Sequence, residues 1–157
     1  SWFNWESLDN DMHLWVQRLV AFRSSHPIFK RRRWFQGRPL RDNDDMAWFR
    51  PDGEEMTSPD WEEGFAQAVG VFLNGEAITI PDRLGNQIID DTFMCIFSAS
   101  PLELTWTLPP ERWGSSWTVK FDSSRPEIGQ ESNEALVAGA EFIMPGRTTL
   151  VLERSTA

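Results

Sequence analysis

The sequence predicts a mainly β protein, in which one long amphipathic α-helix precedes an antiparallel β-sandwich of seven to eight strands. Near the N-terminus, large apolar side chains recur at steps of three and four, which is the period of a helix face. After residue 45, short apolar runs follow one another, separated by Pro, Gly and Asn-Gly turn signals. The 157 residues, 40% of them hydrophobic, are sufficient for one domain with a real core.

The helix is predicted between Trp5 and Phe22, where six large side chains share one face. They are Trp5, Leu8, Met12, Trp15, Leu19 and Phe22, and Val16 and Val20 widen the face. Asp9 or Asn10 can cap its start, as Asn4 would for a longer helix, and Pro27 ends it. So broad an apolar face predicts a large partner surface, such as a neighbouring domain. If that domain is absent, a homodimer through the helix is expected.

Short strands are predicted along the rest of the chain, at 46–50, 68–73, 92–97, 102–108, 117–121, 140–143 and 149–153. The run 92–97 is apolar almost throughout, as in a strand that is buried on both faces. A Pro at the first helical position predicts one helical turn at 57–61. The last two strands flank Met-Pro-Gly-Arg and are predicted to form a closing hairpin. The Asn74-Gly75 pair predicts a primed turn.

Charge and residue usage exclude several kinds of site. The net charge of −9 argues against a nucleic-acid partner, although residues 30–33 are a run of four cations. The two histidines, His13 and His26, have no metal-ligand spacing, and no motif for a cofactor occurs. The single cysteine, Cys95, lies in an apolar run and is predicted to be a buried thiol. Adjacent acids such as Asp90 and Asp91 are interpreted as solvated loop faces.

The location of the chain follows from what its sequence lacks. No run approaches the roughly 20 apolar residues of a membrane span, so we expect a cytoplasmic protein with no membrane contact. The first residue is Ser1 and not Met, which suggests that the chain is part of a longer protein.

Three segments in this order resemble one family. They are HPIFKRRRWFQG at 26–37, DMAWFRPDG at 45–53 and GVFLNG at 70–75. Together they resemble the C-terminal part of bacterial isoamylase-type glycogen debranching enzymes, in the α-amylase clan and glycoside hydrolase family thirteen. The resemblance runs nearly the whole length and is weakest over 123–140.

This resemblance implies a division of the chain. Residues 1–28 would be the last helix of an upstream β/α-barrel catalytic domain, 29–45 a connecting segment and 46–157 the C-terminal β-sandwich. The parent enzyme would hydrolyse α-1,6 branch linkages of glycogen or limit dextrin by the retaining, two-carboxylate route. The family's catalytic residues belong to the barrel, so no catalytic residue is expected in this chain.

The resemblance leaves the role of the fragment itself open. The leading interpretation is structural: the six helix residues pack on the barrel, and the sandwich stabilises it. The first alternative is a glucan-binding module, because the chain has nine Trp and no Tyr, and flat rings stack on sugars. Trp113, in a predicted loop, and Trp61 are the candidates, since a Trp in a loop is less easily buried. The second alternative is a free-standing interaction domain.

Overall fold

A computed structural model of the chain describes residues 9–35, 37, 39–40, 43–63, 67–125 and 135–155. It contains helix α1 (Asn10–Ser25). The strands are β1 (Pro39–Leu40), β2 (Asn43–Asp44), β3 (Met46–Phe49), β4 (Ala68–Leu73), β5 (Phe93–Ser98), β6 (Leu104–Thr107), β7 (Ser116–Asp122), β8 (Ala135–Val137), β9 (Glu141–Met144) and β10 (Thr149–Arg154). Short 3₁₀ helices span Pro27–Lys30, Ser58–Glu62, Gly75–Ala77 and Glu111–Trp113. Trp5 and Leu8 of the predicted helix lie outside the described residues.

Two antiparallel sheets carry the fold and confirm the predicted mainly β class. The larger sheet has six strands in the order β3-β4-β5-β10-β7-β8, and the smaller sheet pairs β6 with β9. The strands β1 and β2 form a separate two-stranded hairpin. The predicted apolar strand is β5, which lies between β4 and β10 near the middle of the larger sheet. Within the described residues, every helix is too short or too polar to cross a membrane.

One core lies between the two sheets. Because side chains alternate along a strand, Phe72 on β4 and Met94 and Ile96 on β5 face the same side. There they meet Trp106 of the smaller sheet, which is fully buried. A Cβ on Gly70 would lie 2.7 Å from the Trp106 Cζ2 atom, so this position has to be glycine for the indole to reach the sheet.

A second core covers the opposite face of the larger sheet. Val71, Phe93 and Cys95 alternate with the residues of the first core and face this side. Phe22 of α1 and Ile28 of the following 3₁₀ helix pack against them. The helix and the sandwich therefore share one apolar core.

The chain's single cysteine lies in the second core. The Cys95 thiol is buried, as predicted, and this burial raises its pKa to about 12. At neutral pH the thiol is therefore protonated and unreactive.

The predicted closing hairpin is wrong. Strand β9 pairs with β6 in the smaller sheet, whereas β10 pairs with β5 and β7 in the larger one. The chain crosses between the layers through Gly146, where a Cβ would lie 2.5 Å from the carbonyl oxygen of Pro101. A turn signal predicts a change of direction, but it does not predict whether the next strand stays in the same sheet.

Two other predicted turns can be compared with the structure. The helical turn near residues 57–61 is confirmed as the 3₁₀ helix Ser58–Glu62. The primed turn at Asn74-Gly75 is wrong, because Asn74 instead caps the 3₁₀ helix Gly75–Ala77 by accepting from the Glu76 N–H at 3.0 Å. A Cβ on Gly75 would come within 2.2 Å of the Asp90 carbonyl oxygen, so this glycine allows the two loops to touch.

Candidate functional site

Helix α1 places two of its large side chains on the protein's own sheet. Trp15 contacts Phe121 with ring centroids 6.4 Å apart, and Phe22 contacts Phe93 and Phe121 at 5.5 and 4.8 Å. Leu19, on the same face, is half-buried. The sandwich therefore provides partners for Trp15 and Phe22, and the expectation that they face water when the barrel is absent is wrong.

The neighbouring face of α1 remains exposed. Met12, Val16 and Val20 follow one another at steps of four and are 58%, 45% and 59% exposed. We call these three residues the apolar stripe. Leu14 is also exposed, but it is separated from the stripe by its position on the helix. Among the predicted helix residues that the structure describes, Met12 is thus the one on an open apolar surface.

The junction between α1 and the sandwich is held by one carboxylate. The Asp90 side chain is only 6% exposed, and its oxygens accept from the Ile28 N–H at 2.7 Å and from His26 Nδ1 at 2.9 Å. Asp90 Oδ1 also accepts from the Asp91 N–H at 2.9 Å. The interpretation of Asp90 as a solvated loop acid is therefore wrong.

The same carboxylate belongs to a group of possible metal ligands. His26, Asp90 and Asp91 offer three such atoms within 4.8 Å of one another. The hydrogen bonds to Ile28 and His26 assign Asp90 a structural role, which is to fix the end of the helix to the loop before β5.

Trp113 lies in the core between the sheets and not on the surface. It is 7% exposed and packs edge-on against Phe49 and Phe72, with centroids 5.1 and 4.9 Å apart. The prediction of an accessible loop Trp is wrong at this position. Trp113 is the last residue of the 3₁₀ helix Glu111–Trp113 and its indole is buried, a direction that a loop assignment from sequence does not reveal.

Trp61 is exposed and forms a pair with Trp48. Trp48 lies on the edge strand β3 and points away from the first core, whose residues Ala47 and Phe49 flank it. The two indoles are 5.2 Å apart and nearly perpendicular, at 85°, and Trp61 is 55% exposed. We call Trp48 and Trp61 the tryptophan pair. Two fixed, partly open rings are suited to covering the apolar face of a sugar.

A network of polar side chains holds the tryptophan pair in place. Thr57 donates to Asp60 from both its backbone N–H and its hydroxyl, each at 2.6 Å, and these bonds hold the pKa of Asp60 below its usual value. Arg50 Nη1 lies 3.3 Å from the same carboxylate, and Arg50 Nη2 lies 2.9 Å from Asp52. These hydrogen bonds raise the pKa of Arg50. The network connects β3 to the 3₁₀ helix that carries Trp61.

Sequence reasoning missed Trp48 as the partner of Trp61 and Asp90 as the anchor of α1. The direction of the Trp48 side chain could have been predicted from the run Met46–Phe49. Side chains alternate along a strand, so Trp48 and Phe49 lie on opposite faces of β3. Asp90 carries no such signal, since its donors are 62 and 64 residues away in sequence.

Comparison with known proteins relates the whole chain to one group of enzymes. No protein-family model matches the chain. A glycogen operon protein GlgX homologue of Mycobacterium tuberculosis is 37% identical over 160 residues, which cover 99% of this chain and 22% of the relative. A glycogen debranching enzyme of Dickeya chrysanthemi is 31% identical over 72% of this chain and 14% of its own length. An isoamylase of Pseudomonas amyloderamosa is 24% identical over 95% of this chain and 16% of its own length.

A solved structure supports the fold. A pullulanase type I of Bacillus subtilis, solved with maltose, superposes with a TM-score of 0.55 at 16% identity, over 98% of this chain and 17% of that one. At this identity the likeness concerns the fold alone. The chain spans about a fifth of the length of the mycobacterial relatives that it matches. It is homologous to one part of the isoamylase-type glycogen debranching enzymes, consistent with their C-terminal region.

Proposed function

We propose that the chain is the C-terminal region of a cytoplasmic glycogen debranching enzyme and stabilises its catalytic domain. That domain, a β/α-barrel outside this chain, would hydrolyse α-1,6 branch linkages of glycogen or limit dextrin with two carboxylates of its own. The proposal is supported by the names of the relatives and by the small share of their length that the chain matches. Residues 1–28 would then belong to the barrel and 46–157 to the sandwich.

The apolar stripe is the observation that carries the stabilising role. One face of α1 packs on the sandwich through Trp15 and Phe22, while Met12, Val16 and Val20 lie open beside it. A helix with two apolar faces is suited to lie between two bodies, and the second body would be the catalytic domain.

A charge placed in the apolar stripe tests this role. In the longer enzyme, Val16→Glu should lower the free energy of unfolding by on the order of 3 kcal/mol, because a carboxylate would be buried without a partner. In the isolated chain, where Val16 is 45% exposed, the same change should leave the thermal midpoint almost unaltered. The measurement is the thermal midpoint and the rate of heat inactivation.

Leu14→Glu is the matched control, since Leu14 is 49% exposed on the same helix but outside the stripe. Equal losses from both variants in the longer enzyme would contradict the proposal. Sedimentation of the isolated chain checks the alternative occupant of the stripe, a second copy of the chain. A dimer that Val16→Glu dissociates would show that the stripe pairs with itself when the barrel is absent.

The tryptophan pair supports a second role, the binding of branched glucan by the sandwich. Trp61→Ala should weaken retardation in a glycogen affinity gel by about fivefold, as expected when an aromatic contact of about 1 kcal/mol is lost. Its thermal midpoint should stay nearly constant, because the indole is 55% exposed.

Trp34→Ala is the control for exposed tryptophan in general, since Trp34 is 93% exposed and lies outside the pair. If unmutated protein migrates equally with and without glycogen, the sandwich does not bind glucan. The chain would then have only the stabilising role, or the role of an interaction domain.

A further inference from the structure

A pocket of about 310 Å³ lies between two segments of the chain. One segment is the 3₁₀ helix Pro27–Lys30 with the residues that follow it, and the other is the loop after the 3₁₀ helix Gly75–Ala77. Three isoleucines, Ile78, Ile80 and Ile88, form an apolar part of its wall. This volume is at the lower end of the range for small-molecule sites, which bind a compact ligand by apolar walls and a few placed polar groups.

Cations dominate the remaining lining. Lys30, Arg32 and Arg83 belong to the pocket, and they come from two segments about 50 residues apart. Among the residues that the structure describes, no ion pair joins any of these three to a carboxylate. Lys30 Nζ donates to the carbonyl oxygen of Ser24, which is a neutral acceptor and leaves its charge uncompensated.

The pocket's two other charged groups are already engaged. Arg31 is buried, with its Nη2 atom 3.5 Å from Asp45 and its guanidinium 4.1 Å from the centroid of Phe35. Asp82 accepts from the backbone N–H groups of Leu84 and Asn86, each at 2.8 Å, and so closes its own turn. Arg31 is therefore paired with a carboxylate outside the pocket lining, whereas Asp82 keeps its negative charge and offsets part of the positive charge of Lys30, Arg32 and Arg83.

The positive lining of the pocket contrasts with the net charge of the chain, which is −9. A local concentration of positive charge attracts anions even where the net charge of a protein is negative. Arginine is also the side chain whose planar, forked donors match a phosphate group. The isoleucine wall adds a surface that can cover the C–H face of a small ring.

We propose that this pocket binds a phosphate monoester carried on a compact organic group such as a hexose. Arg32 and Arg83 hold the phosphate, and the isoleucine wall covers the attached group. Two sources share this chemistry, a free sugar phosphate and a phosphate ester on a glucan chain. The inference goes beyond the proposed stabilising role and does not depend on it.

Calorimetric titration tests the site, with the isolated chain and the longer enzyme each titrated with glucose 6-phosphate, glucose and inorganic phosphate. We expect glucose 6-phosphate to bind more tightly than inorganic phosphate, glucose not to bind, and added salt to weaken the interaction. Arg32→Ala and Arg83→Ala should each weaken binding by about fivefold or more, because each removes a charge-assisted contact with the phosphate. If a phosphorylated malto-oligosaccharide binds more tightly than glucose 6-phosphate, the natural ligand is a phosphate ester on a glucan chain. If glucose 6-phosphate binds more tightly, the natural ligand is a free sugar phosphate.

Arg18→Ala is the control, because it removes one exposed positive charge from α1, outside the pocket. An equal loss from Arg18→Ala would show a general charge effect and overturn the proposal. So would the absence of binding in the longer enzyme, which would mean that acidic residues of the catalytic domain neutralise the pocket. Arg32 and Arg83 are both exposed, so folding of the two variants is verified by an unchanged thermal midpoint.

Discussion

Trp113→Ala is expected to lower the free energy of unfolding by about 3–5 kcal/mol, the usual cost of truncating a buried tryptophan. The indole packs edge-on against Phe49 and Phe72 on neighbouring strands of the larger sheet, so its removal leaves a cavity between the sheets. Since domains of this kind have a total stability of about 5–15 kcal/mol, the loss is a large fraction of it. The shift in the midpoint of urea-induced unfolding measures this loss of stability.

Trp113→Phe provides the matched control. It keeps most of the apolar volume and removes an indole N–H that has no hydrogen-bond partner among the described residues. We therefore expect a loss well below that of Trp113→Ala. Both variants should bind glycogen like the unmutated chain when assayed below their midpoints. A Trp113→Ala protein of unchanged stability and weakened glycogen retention would contradict the core assignment.

Asp90→Ala is expected to lower the free energy of unfolding by about 2–4 kcal/mol, because it removes an acceptor for charge-assisted hydrogen bonds and leaves buried donors unpaired. The Ile28 N–H loses its partner at 2.7 Å, and Ile28 itself is 1% exposed. The His26 ring also loses its anchor, so α1 should separate from the sheet more readily. Hydrogen exchange of the α1 amides measures this local opening.

Asp91→Ala separates this effect from that of charge alone. The Asp91 side chain is 51% exposed and lies 3.7 Å from His26, so its loss should change stability by less than about 0.5 kcal/mol. If Asp91→Ala destabilised the chain as strongly as Asp90→Ala, the effect would belong to the acidic pair and not to the bonds that Asp90 makes.

The elements that sequence predicts well are those whose pattern is local. The apolar run of β5 and the helical turn at 57–61 are properties of adjacent residues, and both appear in the structure. The partners of a strand are not local. Strand β9 therefore pairs with β6, although β7 and β8 lie between them in the sequence and the turn before β10 favours a hairpin.

For the candidate functional surfaces too, the local pattern is predictable from sequence and the tertiary contacts are not. The period of α1 predicts which side chains share a face, but it does not reveal that the sandwich covers Trp15 and Phe22 while Met12 stays open. Composition likewise shows that the chain is rich in tryptophan, but it does not show which tryptophans are exposed. Only tertiary packing separates Trp113, in the core, from Trp61, whose 3₁₀ helix holds it against the exposed face of β3.

The release of reducing ends from glycogen tests the proposed non-catalytic role most directly. The isolated chain should show no activity above background, because the nucleophile and the acid of the proposed mechanism belong to a domain outside it. The longer enzyme that contains this chain should be active in the same assay, with α-1,6 linkages as the bonds cleaved. Hydrolysis by the isolated chain at a rate comparable to that of the longer enzyme would contradict the proposal.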